Sequence, residues 1–105
     1  MGKYLLIYHG GGSPETDAER EKVTADWTQW FTQLGSATVD QGNPTSHAMT
    51  VATDASVSDG GGSNPATGYS IIDVDSIDGA VNAAKMCPHL ASGGSVEVAQ
   101  IFDVM

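Results

Sequence analysis

The chain has 105 residues, with 13 acidic side chains against four basic ones and a formal net charge of −9. Its cations are Lys3, Arg20, Lys22 and Lys85, too few and too scattered for a basic face, which argues against nucleic acid and anionic membrane surfaces as partners. The length fits a single domain over 1–105, and Cys87 has no second cysteine to pair with, so a reducing, cytoplasmic setting is expected.

Tyr4 to Tyr8 is an uninterrupted apolar run closed by His9-Gly-Gly-Gly12, which predicts a strand with apolar groups on both faces. The run is too short for a signal peptide or a membrane span. Ser13 is the expected cap of the next helix, with Pro14 in its first position and Glu15, Asp17 and Glu19 in its first turns. Val23, Trp27, Trp30, Phe31 and Leu34 recur at three- and four-residue steps and predict a helix from Glu15 to Leu34, stopped by Gly35. Ala37 to Gln41 alternates weakly before Gly42-Asn-Pro44, and His47 to Thr53 alternates better and reads as a strand. Asp54 to Thr67 is polar, holds Asp59-Gly-Gly-Gly-Ser-Asn-Pro65, and reads as a loop. Tyr69 to Val74 is a second clear strand. Ser76 then caps a helix striped by Ile77, Ala80, Val81, Ala84 and Cys87 and ended by Pro88. Ser95 to Val104 is the last strand, with Val96, Val98, Gln100 and Phe102 on one side.

The order β-α-β(β)-β-α-β predicts an α+β domain of ferredoxin-like plan, with two helices on one face of an antiparallel sheet. Each helix carries a single apolar stripe, so the other face of the sheet lacks cover from within the chain. A second copy is the expected cover, giving a homodimer.

Gly68-Tyr-Ser-Ile-Ile-Asp-Val-Asp-Ser-Ile-Asp-Gly-Ala80, Cys87-Pro88 and Gly93-Gly-Ser-Val-Glu-Val98 together resemble the YCII-related (DGPF-domain) family, as do Lys3 to Tyr8 and the Trp27-x-x-Trp30 spacing. The resemblance covers essentially the whole chain. It implies a ferredoxin-like βαββαβ protomer whose sheet pairs into a dimeric α/β barrel. The chain departs from the family where Asp59-Gly60-Gly61-Gly62 replaces Asp-Gly-Pro-Phe and where Ala99-Gln100 replaces Arg-Pro. The first helix has Ala25-Asp26-Trp27 in the region where smaller relatives carry a His proposed to pair with an Asp, so that pair is not transferred to this chain.

The candidate chemistry rests on histidines and one carboxylate. His9 ends the first strand at a glycine break and His47 begins the strand after Pro44, so each is placed to move protons near neutral pH. Asp73 interrupts an apolar strand, where a carboxylate needs water, a partner or a cavity. His89, after Pro88, reads as a solvated loop residue. Tyr8, Trp27, Met49 and Tyr69 are the candidate ligand-contacting side chains. Gly10-Gly-Gly-Ser-Pro14 lacks both the P-loop ending and the dinucleotide spacing, and Cys87-Pro-His89 has no second ligand pair, so neither a phosphate cradle, a metal site nor a cofactor is expected. The expected function is a small-molecule-binding homodimer, with lyase- or isomerase-type acid–base chemistry on His9 or His47 assisted by Asp73 or Tyr8. The alternative is a non-catalytic binding or regulatory module.

Overall fold

A computed structural model describes residues 2–104. The chain runs β1 (Gly2–His9), α1 (Asp17–Leu34), β2 (Thr38–Asp40), β3 (Met49–Val51), β4 (Val57–Asp59), β5 (Ala66–Val74), α2 (Ile77–Lys85) and β6 (Ser95–Ile101), with short 3-10 turns at Gly35–Ala37 and Pro88–Ser92. It is a small α+β protein with two helices and an antiparallel sheet. Four strands form the main sheet in the order β2-β5-β1-β6, and β3 and β4 form a separate hairpin.

The β1 run holds the centre because both its neighbours pair along most of its length, Gly2↔Val74 to His9↔Ala66 on one side and Lys3↔Ile101 to His9↔Ser95 on the other. Strand alternation then divides its side chains. Tyr4, Leu6 and Tyr8 point toward the helices with Ile72, and pack with Trp30 of α1 and with Ala80 and Cys87. Leu5 and Ile7 point the other way, opposite Ile71 and Tyr69 on β5 and Ala99 and Glu97 on β6, and are only half-buried. The molecule measures 43 × 42 × 18 Å. Its thin dimension is about that of one sheet plus one helix layer, roughly 10 Å each. No third layer fits in it.

Both helices pack by their stripes. In α1 the Trp30 ring is buried and its indole N–H donates to the Ala83 carbonyl at 3.1 Å, joining the two helices. In α2 the stripe is made of small residues, Ala80 and Ala84, which let the helix sit close to the sheet. Ser76 caps α2 as expected, accepting from Gly79 N.

Three local expectations are corrected. The first helix is capped by Thr16 rather than Ser13, and begins at Asp17. Thr16 Oγ1 accepts from Glu19 N at 3.1 Å, and the Glu19 carboxylate accepts from Glu15 N at 2.9 Å, just ahead of the cap. The stretch 54–67 is not all loop, because β4 pairs with β3 as Met49↔Asp59, Thr50↔Ser58 and Val51↔Val57. The turn between them is closed by the Asp54 carboxylate accepting from Ser56 N at 2.9 Å, with Ala55 in the left-handed region at φ 72°. The strand expected from His47 to Thr53 is thereby shorter, Met49–Val51, and lies outside the main sheet. Both strands of this hairpin and the turn between them are exposed. The radius of gyration is 15.1 Å, above the ~13 Å usual for a compact chain of this length.

Candidate functional site

The main concavity lies between α1, the end of β5 and the loop 41–44. It encloses about 570 Å³ and is walled by Trp27 and Phe31 of α1, Tyr8 of β1, Ser70 of β5 and His89. The loop reaches the sheet because Gly42 adopts φ +75° and lies so close to β5 that a Cβ there would overlap the Tyr69 carbonyl.

The inner wall is a hydrogen-bonded chain. The Tyr8 phenol donates to Ser70 Oγ at 2.7 Å, and the Ser70 hydroxyl donates to the Gln41 carbonyl at 2.7 Å. Ser70 is completely buried, and this relay satisfies a polar group that would otherwise destabilise the core. Burial pushes the Tyr8 phenol well above its ordinary ionisation range, so it stays protonated. Burial likewise pushes the neighbouring Cys87 thiol up to about 11, which keeps it neutral and unreactive. Trp27 meets Tyr8 edge-on at a centroid distance of 5.3 Å and stacks obliquely with Phe31 at 5.8 Å.

His89 completes the wall from the 3-10 turn after α2. Its ring centroid is 5.2 Å from that of Tyr8, and its Nε2 is 2.9 Å from the His9 carbonyl oxygen. A carbonyl only accepts, so Nε2 carries the proton of that bond. Glycines on two sides make room for the ring. A Cβ on Gly11 would come within 2.7 Å of His89 Cε1, and one on Gly94 within 2.6 Å of His89 Cδ2.

The residues singled out from the sequence occupy four places. Tyr8, Trp27 and Tyr69 line the cavity, although register places the Tyr69 side chain with Ile7 on the opposite face. His9 follows Tyr8 by one residue, so it falls on that opposite face too. There its Nε2 donates to Glu97 Oε1 at 2.9 Å, and its Nδ1 faces the Asn64 and Pro65 carbonyls at 3.0 and 3.2 Å. The Glu97 hydrogen bond, helped by those carbonyls and opposed by desolvation, raises the His9 pKa above 6.5. Asp73 lies on the same face, paired with Lys3 at the far end of β1 from His9, and one of its carboxylate oxygens is buried with no partner. His47 is exposed beside the hairpin, 3.2 Å from Asp59, and Met49 is exposed on the hairpin itself. His9, His47 and Asp73 are not brought together. Among the described residues no group of three or more His, Cys, Asp or Glu side chains is placed to hold a metal.

His89 is a wall residue that the sequence does not single out. Its trace there is the pair of glycine stretches, Gly10-Gly-Gly12 and Gly93-Gly94, whose meeting around one ring depends on the β1–β6 pairing. A scan against known protein families finds no match to this chain, and a search of curated proteins finds none either. No helix among the described residues is long and apolar enough to cross a membrane.

Proposed function

We propose that this protein binds a small organic molecule in the cavity between α1 and β5 and works as a homodimer. The observation that carries the binding reading is a concavity of about 570 Å³ walled by Trp27, Phe31 and Tyr8, with His89 also in its wall. Its size suits a drug-sized or smaller ligand. The dimer reading rests on the face of Leu5, Ile7 and Ile71, which is apolar, half-buried and covered by neither helix.

The strand order β2-β5-β1-β6, with every pairing antiparallel and the two helices on one side, supports the ferredoxin-like assignment. That order and the motifs from Gly68 to Val98 support a YCII-related protomer whose open faces pair as a dimeric α/β barrel. Binding without turnover is the favoured form, because no carboxylate stands beside His89 among the described residues lining the cavity. The lyase- or isomerase-type reading keeps His89, with Tyr8 beside it, as its acid–base group.

Two measurements test this. Light scattering at micromolar concentration is expected to give twice the 10.8 kDa chain mass, and Ile71→Glu on the open face is expected to give a folded monomer. A fragment screen read by the indole N–H resonances of Trp27 and Trp30 is expected to move Trp27. A wild-type monomer overturns the dimer, and a Trp27 signal indifferent to every fragment overturns the cavity.

A further inference from the structure

We propose that the β3–β4 hairpin is a dimerisation arm, and that its apolar side, Met49, Val51 and Val57, packs against a second copy of this chain. The proposal deepens the dimer reading above and rests on it.

The hairpin is uncovered within its own chain. The pairing Met49↔Asp59, Thr50↔Ser58 and Val51↔Val57, with strand alternation, puts Met49, Val51 and Val57 on one side and Thr50 and Ser58 on the other. Those three apolar side chains belong to residues that are 57%, 67% and 58% exposed. Every residue of both strands is exposed, so neither the main sheet nor either helix supports them. A lone two-stranded hairpin is marginal in water and needs a further strand or an apolar support. The apolar side is present here, and among the described residues nothing covers it.

Area and position point to a second copy as the cover. A compact monomer of 10.8 kDa exposes about 5,500 Å². This chain exposes 7132 Å², an excess of about 1,600 Å². That is more than the ~800 Å² each partner gives to a standard interface, and lies in the range of permanent homodimers. The hairpin also leaves the main sheet at the border of the face proposed above for a second copy. Its outgoing limb is held where Thr45 N donates to the Thr67 carbonyl at 3.0 Å. Its return limb is held by His9, whose ring lies on the open face against the Asn64 and Pro65 carbonyls. Two uncovered apolar surfaces, the open face and the hairpin, thus adjoin on one chain. A two-fold axis matches such a pair to itself, each arm covering apolar surface of the other copy, whereas a foreign partner must supply complements to both. Charge does not oppose the contact. Leu5, Ile7, Ile71, Met49, Val51 and Val57 are all uncharged, and Asp59, which shares the apolar side at its foot, has His47 3.2 Å away.

The double variant Val51→Thr/Val57→Thr tests the arm, because threonine keeps the shape and strand preference of valine and both positions are exposed in the protomer. Sedimentation equilibrium gives the dimer Kd. Each arm loses two buried methyl groups and a dimer has two arms, so Kd is expected to rise roughly a hundredfold. Ser58→Gln, on the other side of the same hairpin, is expected to leave Kd within about twofold. In wild-type protein mixed from copies with 13C-labelled methionine methyl groups and unlabelled copies, the Met49 methyl is expected to show isotope-filtered contacts with protons of the unlabelled copy. A dimer whose Kd is unmoved by the valine changes, or weakened equally by Ser58→Gln, overturns the arm and leaves a dimer through the open face standing. So does a wild-type dimer in which the Met49 methyl sees no proton of the other copy, and this measurement decides the matter even if a variant does not fold. A wild-type monomer sinks the arm and the dimer reading together.

Discussion

Gly94→Ala isolates the positioning of His89. Gly94 does not occupy the left-handed region, so an alanine there meets no backbone strain of its own. The obstacle is the imidazole, since the new Cβ would lie 2.6 Å from Cδ2 and 2.7 Å from Cε1 of His89. The ring must move away, and it cannot do so while keeping its 2.9 Å bond to the His9 carbonyl and its contact with Tyr8. Overpacking of this kind costs about 1–3 kcal/mol and a lost neutral hydrogen bond about 0.5–1.5 kcal/mol, so a destabilisation of about 2–3 kcal/mol is expected. For a chain of this size that lowers the melting temperature by roughly 10 °C. Gly11→Ala is a poorer probe, because Gly11 sits at φ +89° and an alanine there adds strain unrelated to the ring.

Urea unfolding followed by tryptophan fluorescence measures the effect, and a double-mutant cycle assigns it. In a His89→Ala background there is no ring to displace, so Gly94→Ala is expected to be neutral within about 0.5 kcal/mol, or slightly stabilising through reduced freedom of the unfolded chain. The expected coupling is therefore about 2 kcal/mol, with an unchanged denaturant slope. If Gly94→Ala costs the same in both backgrounds, the ring is not held between these glycines, and the cavity wall is not organised around it.

Three further outcomes follow from the same geometry. Ser70→Ala strands the buried Tyr8 hydrogen. It is expected to cost about 2 kcal/mol in chemical denaturation, much of it recovered in the Tyr8→Phe/Ser70→Ala double variant. Cys87, buried and with its thiol pushed up to about 11, is expected to react with a thiol reagent near pH 8 about a hundredfold more slowly in the folded protein than in urea. The folded-state pKa of His9 is raised above 6.5, so its contribution is fully present below about pH 6.5 and is lost as pH rises through the folded value. The stability advantage of wild type over His9→Gln is therefore expected to shrink as pH rises above about 6.5, and an advantage that grows with pH contradicts the His9–Glu97 pairing.

What is legible in the sequence is local. The α2 helix shows because its cap, stripe and proline stop all lie within one short stretch, Ser76 to Pro88. β1 and β5 show because both are apolar runs bounded by breakers. The start of α1 is easily misplaced because Ser13 and Thr16 both precede acidic turns, and what separates them is that Thr16 Oγ1 accepts from Glu19 N. β4 is hidden because its turn uses Asp54-Ala55-Ser56, with no glycine or proline to announce it. The cavity is least legible, because its closing contacts join distant residues: His89 to His9, Ser70 to Gln41, Tyr8 to Ser70. The choice among histidines turns on one step of strand alternation. Tyr8 faces the helices and the cavity, so His9 faces away.

That one-residue step also gives His9 a role the cavity alone does not reveal. Its side chain belongs to the open face, where it holds Glu97 of β6 and the carbonyls of Asn64 and Pro65 at the foot of the hairpin. Its backbone carbonyl accepts from His89 Nε2 in the cavity wall. One residue at the end of β1 thus joins the surface proposed for a second copy to the wall proposed for the ligand. The surface proposed for a second copy and the wall proposed for the ligand therefore meet in a single peptide unit.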